Sequence, residues 1–205
     1  MLIVADTSHN ILLNKNHTHK IDTTTSVMID YQLMERTLIV LKPDAVQRAV
    51  VGEIITRFEK AGLKLVGMKM LSPSQEHYFY HYETIGKVAS RRGQDVYDMN
   101  LSFMLEGPVI AVVLEGVEAA ETVRKMVGDT EPKNAQPGTI RGDYAHMSYA
   151  HANSSGVGIP NVIHASGDAK EAKEEIAHWF SESELYDYQT VHEQFTQKQA
   201  PHTSK

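Results

Sequence analysis

Cysteine is absent from the 205 residues, which excludes disulfides, thiolate zinc sites, Fe–S clusters and cysteine nucleophiles. The lack also fits a reducing compartment, so a cytoplasmic location is expected. Long apolar runs are missing as well. The richest, Val109–Leu114, is strand-sized against the roughly 20 residues that a bilayer-spanning helix needs, and no membrane association is expected. Positive charge is in deficit: 20 Lys+Arg face 26 Asp+Glu, a net charge of −6. A general nucleic-acid binder needs the opposite balance. A GxxxxGK[ST] loop is also lacking, and Gly156 and Gly158 have neither the third glycine nor the preceding strand of a dinucleotide fingerprint. What remains, at 41% hydrophobic and 22% charged residues, is the composition of one soluble globular domain with polar tails.

Residues 1–33 are rich in Asn, Thr, Ser and His and hold no lasting helical or strand period. Asp6 breaks the apolar stretch Leu2–Ala5, so a secretory signal is not expected. This segment is read as a disordered or non-native N-terminal extension, with Met34 as an alternative start. The organised domain is placed at 34–190 and a polar C-terminal tail at 191–205. Within the domain, strand-like runs at Arg36–Lys42, Leu63–Leu71, Pro108–Glu115 and Val162–His164 alternate with helical periods. The helices are placed at Gly52–Ala61, from Ser74 to about Tyr82, at Gln94–Leu105, at Val117–Val127 and from about Asp168 to Phe180. Gly86–Gly93 and Gly128–Gly142 read as loops. The order β-α-β-α-α-β-α-loop-β-α suits a split βαβ arrangement, an antiparallel sheet under helices. Periodicity alone leaves a doubly wound sheet open.

Two features carry chemistry. His164 stands between the apolar pair Val162-Ile163 and the small residues Ala165-Ser166-Gly167, at a strand end facing a helix N-terminus where phosphate is favoured. Taken alone, that position suits a structural histidine better. On the following helix Ala172, Ile176 and Phe180 mark the buried stripe, and Glu175 falls close to it with no Lys or Arg at i±4. Such a carboxylate either reaches solvent or finds a partner such as an imidazole, which would fix the ring tautomer and free the other nitrogen. The second feature is the glycine-punctuated stretch holding Thr130 and Arg141, with Arg124 on the preceding helix. Paired guanidiniums suit polyphosphate, and surface ion pairs with Asp129 and Glu131 are the alternative.

Several motifs together resemble the nucleoside diphosphate kinase family: ERTLIVLKPDAVQR, GDTEP, PGTIRGD, NVIHASGD with Glu175 beyond it, and EIAHWF. They follow the family's order over about Glu35 to Tyr188. The resemblance implies a ferredoxin-like α+β fold, a homohexamer or homotetramer, and transfer of the γ-phosphate of a nucleoside triphosphate, typically ATP, to a diphosphate by a ping-pong route. It implies that His164 is the nucleophile that becomes phosphohistidine, supported by Glu175 and Ser166. Lys42 would reach the ribose hydroxyl and the transferring phosphate, with Tyr82 near the transferred group. Arg124, Thr130 and Arg141 would hold the phosphates and Asn161 the sugar 3′-hydroxyl. Mg²⁺ would arrive with the nucleotide, bound by phosphate oxygens and water rather than by a protein metal site. Rival readings are a catalytically weak nucleotide-binding or assembly module and a histidine phosphotransferase acting on proteins.

Three departures from the family pattern stand out. Gly167 replaces the usual aspartate. About six extra residues lie around Arg91-Arg92, where Val96 falls near the usual base-stacking phenylalanine and Tyr97 is the candidate substitute. About ten more lie within Tyr144–Ile159. Among other histidines, His77 and His81 are four apart on a helix, a possible but poor metal pair. His146, His151 and His178 read as surface. Asp95 and Asp98 read as helix N-terminal charges.

Overall fold

The computed structural model describes residues 34–196. The expected extension 1–33 and residues 197–205 of the expected tail lie outside the described residues.

Strand β1 (Met34–Leu41) is central, pairing antiparallel with β3 (Val109–Val117) on one side and β4 (Ile163–Ala165) on the other. Strand β2 (Lys64–Leu71) pairs antiparallel with β3, giving the order β2-β3-β1-β4. This is the expected ferredoxin-like antiparallel sheet, and helices cover both of its faces. Side chains alternate across a strand, so Ile39 and Leu41 enter one core cluster while Leu38 and Val40 enter the other. That double burial is why Leu38–Leu41 reads as an unbroken apolar run.

Helix α1 (Pro43–Gln47) starts where the strand was expected to stop, since proline at the first helical position loses no hydrogen bond. Helix α2 (Val51–Lys60) buries Ile54 and Phe58, one turn apart, beneath the first face. Helix α3 (Gln75–Phe79) is capped by Ser74, whose Oγ accepts from His77 N–H, and runs into a π-helical turn, Tyr80–Ile85. Helix α4 (Val88–Arg92) occupies part of the expected loop 86–93, followed by α5 (Gln94–Met104). Helix α6 (Ala119–Val127) follows β3, and the expected loop 128–142 contains a 3-10 turn, Pro132–Asn134, and the start of α7 (Ile140–Tyr144). The extra residues 144–159 fold into α8 (Tyr149–Ser155), capped by Ser148. These short helices escaped periodicity because each offers too few turns to show an apolar stripe.

Helix α9 (Ala169–Trp179) starts at its cap Asp168 and buries Ala172, Glu175, Ile176 and Trp179. The chain then crosses β2, where Tyr186 N–H donates to Val66 O at 2.9 Å. Gly67 permits that approach: a Cβ there would lie 2.9 Å from Glu184 O. The first residues of the expected tail are docked in a final turn, α10 (Glu193–Thr196), with Glu193 3.3 Å from the buried Lys64 amine. No helix among the described residues is long and apolar enough to cross a membrane.

Candidate active site

Strand β4 is only three residues long, and its alternation buries Ile163 and Ala165 while presenting His164 to the opposite side. Val162, just before it, has φ +59, a strained conformation for a β-branched residue. Tight bonding holds it there. Lys42 N–H donates to Val162 O at 2.9 Å, Val162 N–H donates to Asp44 Oδ2 at 3.1 Å, and Ile163 N–H donates back to Asn161 O at 2.7 Å. The LKPD segment thereby sets the backbone from which Asn161 and His164 project.

His164 Nε2 lies 2.8 Å from Glu175 Oε1, and Ser166 Oγ donates to Glu175 Oε2 at 2.5 Å while accepting from Leu38 N–H at 3.2 Å. Glu175 is 1% exposed. Burial pushes its carboxyl up, but the His164 charge and hydrogen bond, with His81 and Ser166, outweigh this and hold it down at about 2. A carboxylate needs a donor, so Nε2 carries the proton and Nδ1 keeps its lone pair. The pairing of imidazole, carboxylate and hydroxyl expected from sequence is therefore assembled.

His81 lies beside this group, its ring 4.6 Å from that of His164. Burial and the His164 charge hold its pKa well below the ordinary value, and Trp179 Nε1–H donates to its Nδ1 at 3.2 Å. The 3.4 Å approach of Glu175 Oε1 to the same nitrogen is therefore not an ion pair. Donor atoms of His81, His164 and Glu175 lie within 4.8 Å of one another, a grouping that hydrogen bonding accounts for. The suggested His77–His81 pair separates: His81 enters the site, whereas His77 stacks on His178 at 3.9 Å. His178 is thus not solvated surface; it is half-buried and its Nε2 contacts His77 O at 3.0 Å. The π-helical turn explains the split, since it rotates the residues after Phe79 and turns His81 and Tyr82 inward together.

These groups open on a cavity of about 350 Å³, within the range of small-molecule sites. Lys42, Tyr82, Arg124, Thr130, Asn161, His164 and Glu175 all line it. Lys42 is buried at the end of β1. Burial and the Arg141 charge, partly offset by Asp44, lower its amine to about 8. Asn161 Nδ2 donates to Thr130 O at 2.9 Å, leaving Asn161 Oδ1 and the Tyr82 hydroxyl buried without a protein hydrogen-bond partner. Unpaired buried polar atoms are costly, and here they suit a ligand carrying hydroxyl or phosphate groups.

Arg141 departs from expectation. It does not line the cavity; its buried guanidinium donates to Asn161 O at 3.2 Å, Gly128 O at 3.1 Å and Ile163 O at 2.6 Å. It braces the loop, Asn161 and β4 from behind. Ion pairs with Asp129 or Glu131 are not its partners either. Tyr97 is likewise displaced from its suggested role: it is buried, packs edge-on against Phe79 at 6.2 Å and does not line the cavity, whereas Val96 does.

Residues not singled out from sequence complete the walls. Glu171, one turn before Glu175, is half-buried, and its carboxylate lies close to the Gly167 backbone. Burial and the neighbouring Glu175 raise its pKa. A Cβ on residue 167 would come within 2.6 Å of Glu171 Oε2, so the glycine makes room for this carboxylate. Its helical spacing from Glu175 was the available signal. Arg91 and Arg92 of α4 and Tyr149, Ala152 and Asn153 of α8 also line the cavity. Both extra segments therefore reach the site, which no local sequence signal reports.

Comparison with known proteins agrees with this geometry. The family profile described as nucleoside diphosphate kinase matches residues 35–185. Nucleoside diphosphate kinase of Borreliella burgdorferi is 42% identical over 160 residues, covering 76% of this chain and 93% of the relative. That of Pyrococcus furiosus is 45% identical over 155 residues, covering 76% and 88%. A solved transition-state mimic of the Borrelia burgdorferi enzyme with bound vanadate and ADP superposes with a TM-score of 0.77 at 40% identity, covering 80% of this chain and 97% of that one. The Halobacterium salinarum enzyme in complex with CDP gives 0.67 at 37% identity, covering 79% and 97%.

Proposed function

Since the chain belongs to the nucleoside diphosphate kinase family and is a phosphotransferase, we propose that it moves the γ-phosphate of a nucleoside triphosphate, typically ATP, onto nucleoside diphosphates through phosphohistidine at His164. One observation carries this reading: Glu175 occupies Nε2 of His164 and leaves Nδ1 open beside a cavity lined by Lys42, Arg124, Thr130 and Asn161. The Nδ1 lone pair attacks the γ-phosphorus. An N–P bond forms, the bond from that phosphorus to the β,γ-bridging oxygen breaks, and the diphosphate leaves with the electron pair. An acceptor diphosphate enters the same cavity and its terminal oxygen reverses the step, regenerating neutral imidazole. Glu175 stabilises the positive charge that develops on the ring, and Ser166 keeps the carboxylate aligned. Lys42 and Arg124 neutralise phosphate charge, the main demand of phosphoryl transfer. Thr130 supplies a further phosphate contact, Tyr82 stands near the transferred group, and Asn161 Oδ1 accepts from a sugar hydroxyl. Arg141 acts by bracing the wall.

The donor set bears on the metal. Mg²⁺ prefers oxygen ligands, and the cavity offers mainly cationic and imidazole groups, its carboxylates being Glu171 and Glu175. This suits Mg²⁺ held by the nucleotide's own phosphate oxygens and water, where it supplies charge neutralisation. A cytoplasmic location and a homohexamer or homotetramer belong to the same reading. Exposed Met68 and Met70 on edge strand β2 support self-association.

The test is single-turnover labelling. Incubation with γ-labelled ATP and Mg²⁺, without acceptor, is expected to leave an acid-labile, base-stable label that requires His164 and leaves as triphosphates when diphosphates are added. Label that persists under that chase, or label on His164→Ala, overturns the relay.

A further inference from the structure

We propose that Tyr149 sets the protein's affinity for nucleotides by holding the Arg92 guanidinium at the cavity, so that the two extra segments act as one clasp. The inference rests on the nucleotide reading above. Arg92 ends α4, a five-residue helix with no buried residue, entered through Lys87 at φ +53 and left through Gly93 at φ +99. Nothing in its own segment packs the side chain into place. Its Nη1 instead donates to Tyr149 Oη at 3.2 Å, across 57 positions of sequence, and both residues line the cavity that holds His164.

Tyr149 is itself anchored to the loop that carries Thr130. Its N–H donates to Glu131 Oε1 at 2.8 Å, and Lys133 N–H donates to Met147 O at 3.1 Å. Ser148 caps α8 beneath it. A continuous chain of contacts therefore runs from Thr130 through Glu131 and Tyr149 to Arg92. The chemistry of the tether matters. A carboxylate partner would neutralise the guanidinium, whereas a phenol oxygen accepts one hydrogen bond and leaves the charge and remaining N–H groups for an anion. An exposed, untethered arginine loses rotamer freedom when it binds; a tethered one has already lost it. Arg92 joins Lys42, Arg91 and Arg124 at the cavity, so the ligand class is the polyphosphate of a nucleotide, whatever its base.

Calorimetric titration of the full chain with ADP, GDP and CDP tests this in wild type, Tyr149→Phe, Arg92→Ala and the double variant. Tyr149→Phe is expected to weaken all three diphosphates alike, by roughly three- to tenfold, the scale of ordering one long side chain. The double variant should bind as Arg92→Ala does, with no further loss and with thermal midpoints unchanged. The ATP concentration giving half-maximal single-turnover labelling should rise in Tyr149→Phe by a similar factor. Unchanged affinity in Tyr149→Phe, additive losses in the double variant, or a loss confined to one base each overturn the clasp. A wild type that binds none of the diphosphates overturns the nucleotide reading instead, and so separates the two failures.

Discussion

Glu175 Oε1 sits 2.8 Å from His164 Nε2, one hydrogen bond joining the middle of β4 to the inner face of α9. It fixes the imidazole tautomer. Replacing Glu175 with Gln keeps the shape and removes the charge that balances the ring during transfer, so turnover should fall roughly 10–1000-fold. Steady-state rates with ATP and a diphosphate check this, and an unchanged rate would make Glu175 purely structural.

The same carboxylate carries a pH signature. Its folded pKa, about 2, lies below the ordinary 4.5, so its contribution to stability is complete above about 4.5 and is lost as pH falls toward 2. Urea melts over that acid window should show a smaller loss of stability in Glu175→Gln than in wild type. Equal slopes would contradict the assignment.

Lys42 titrates in the opposite sense. Its amine is lowered to about 8, so its charge is present below that pH and lost above it. Affinity for ADP should fall as pH rises through 8, over a span extended upward because bound phosphate favours the charged amine. Lys42→Gln should bind weakly at every pH and lack this descending limb. For folding, the sign is that stability is gained as pH rises from about 8 toward 10.5, because only the unfolded chain then holds the proton.

Arg141 should behave as a brace. Arg141→Lys cannot reproduce a fork that reaches three carbonyls, and a loss of about 1–3 kcal/mol in chemical denaturation is expected. Full stability with lost ADP binding would return its guanidinium to the phosphates.

Gly167 and Glu171 should be coupled. With Glu171 present, Gly167→Ala brings a Cβ against the Glu171 carboxylate and displaces it, which offsets the gain from a stiffer unfolded chain. In Glu171→Ala the same change should stabilise by about 0.4–1 kcal/mol. A double-mutant cycle of urea melts should therefore show a coupling of about 1 kcal/mol, and additivity would break the link between the two positions.

What was legible in the sequence was local. The strand at Arg36–Lys42 declares itself because both its faces are buried, and α2 because Ile54 and Phe58 recur at one turn. His164 and Glu175 stood out because a short strand and an amphipathic helix carry them in a single continuous stretch, and Ser166 joined them through the family resemblance. Partners that come from distant segments were not. His81 meets Glu175 only because a π-helical turn rotates it inward, and Arg141 turns from cavity to scaffold because carbonyls from two separate segments, Gly128 in one and Asn161 and Ile163 in the other, converge on it. Arg92 meets Tyr149 only once the sheet has brought two short helices over one cavity. Sequence by itself determined the long periodic elements, and its motifs, through their family resemblance, the antiparallel sheet and the grouping of His164 with Ser166 and Glu175. Tertiary structure alone decided which charges face the cavity and which are spent on backbone, because that depends on side-chain direction across residues far apart in the chain.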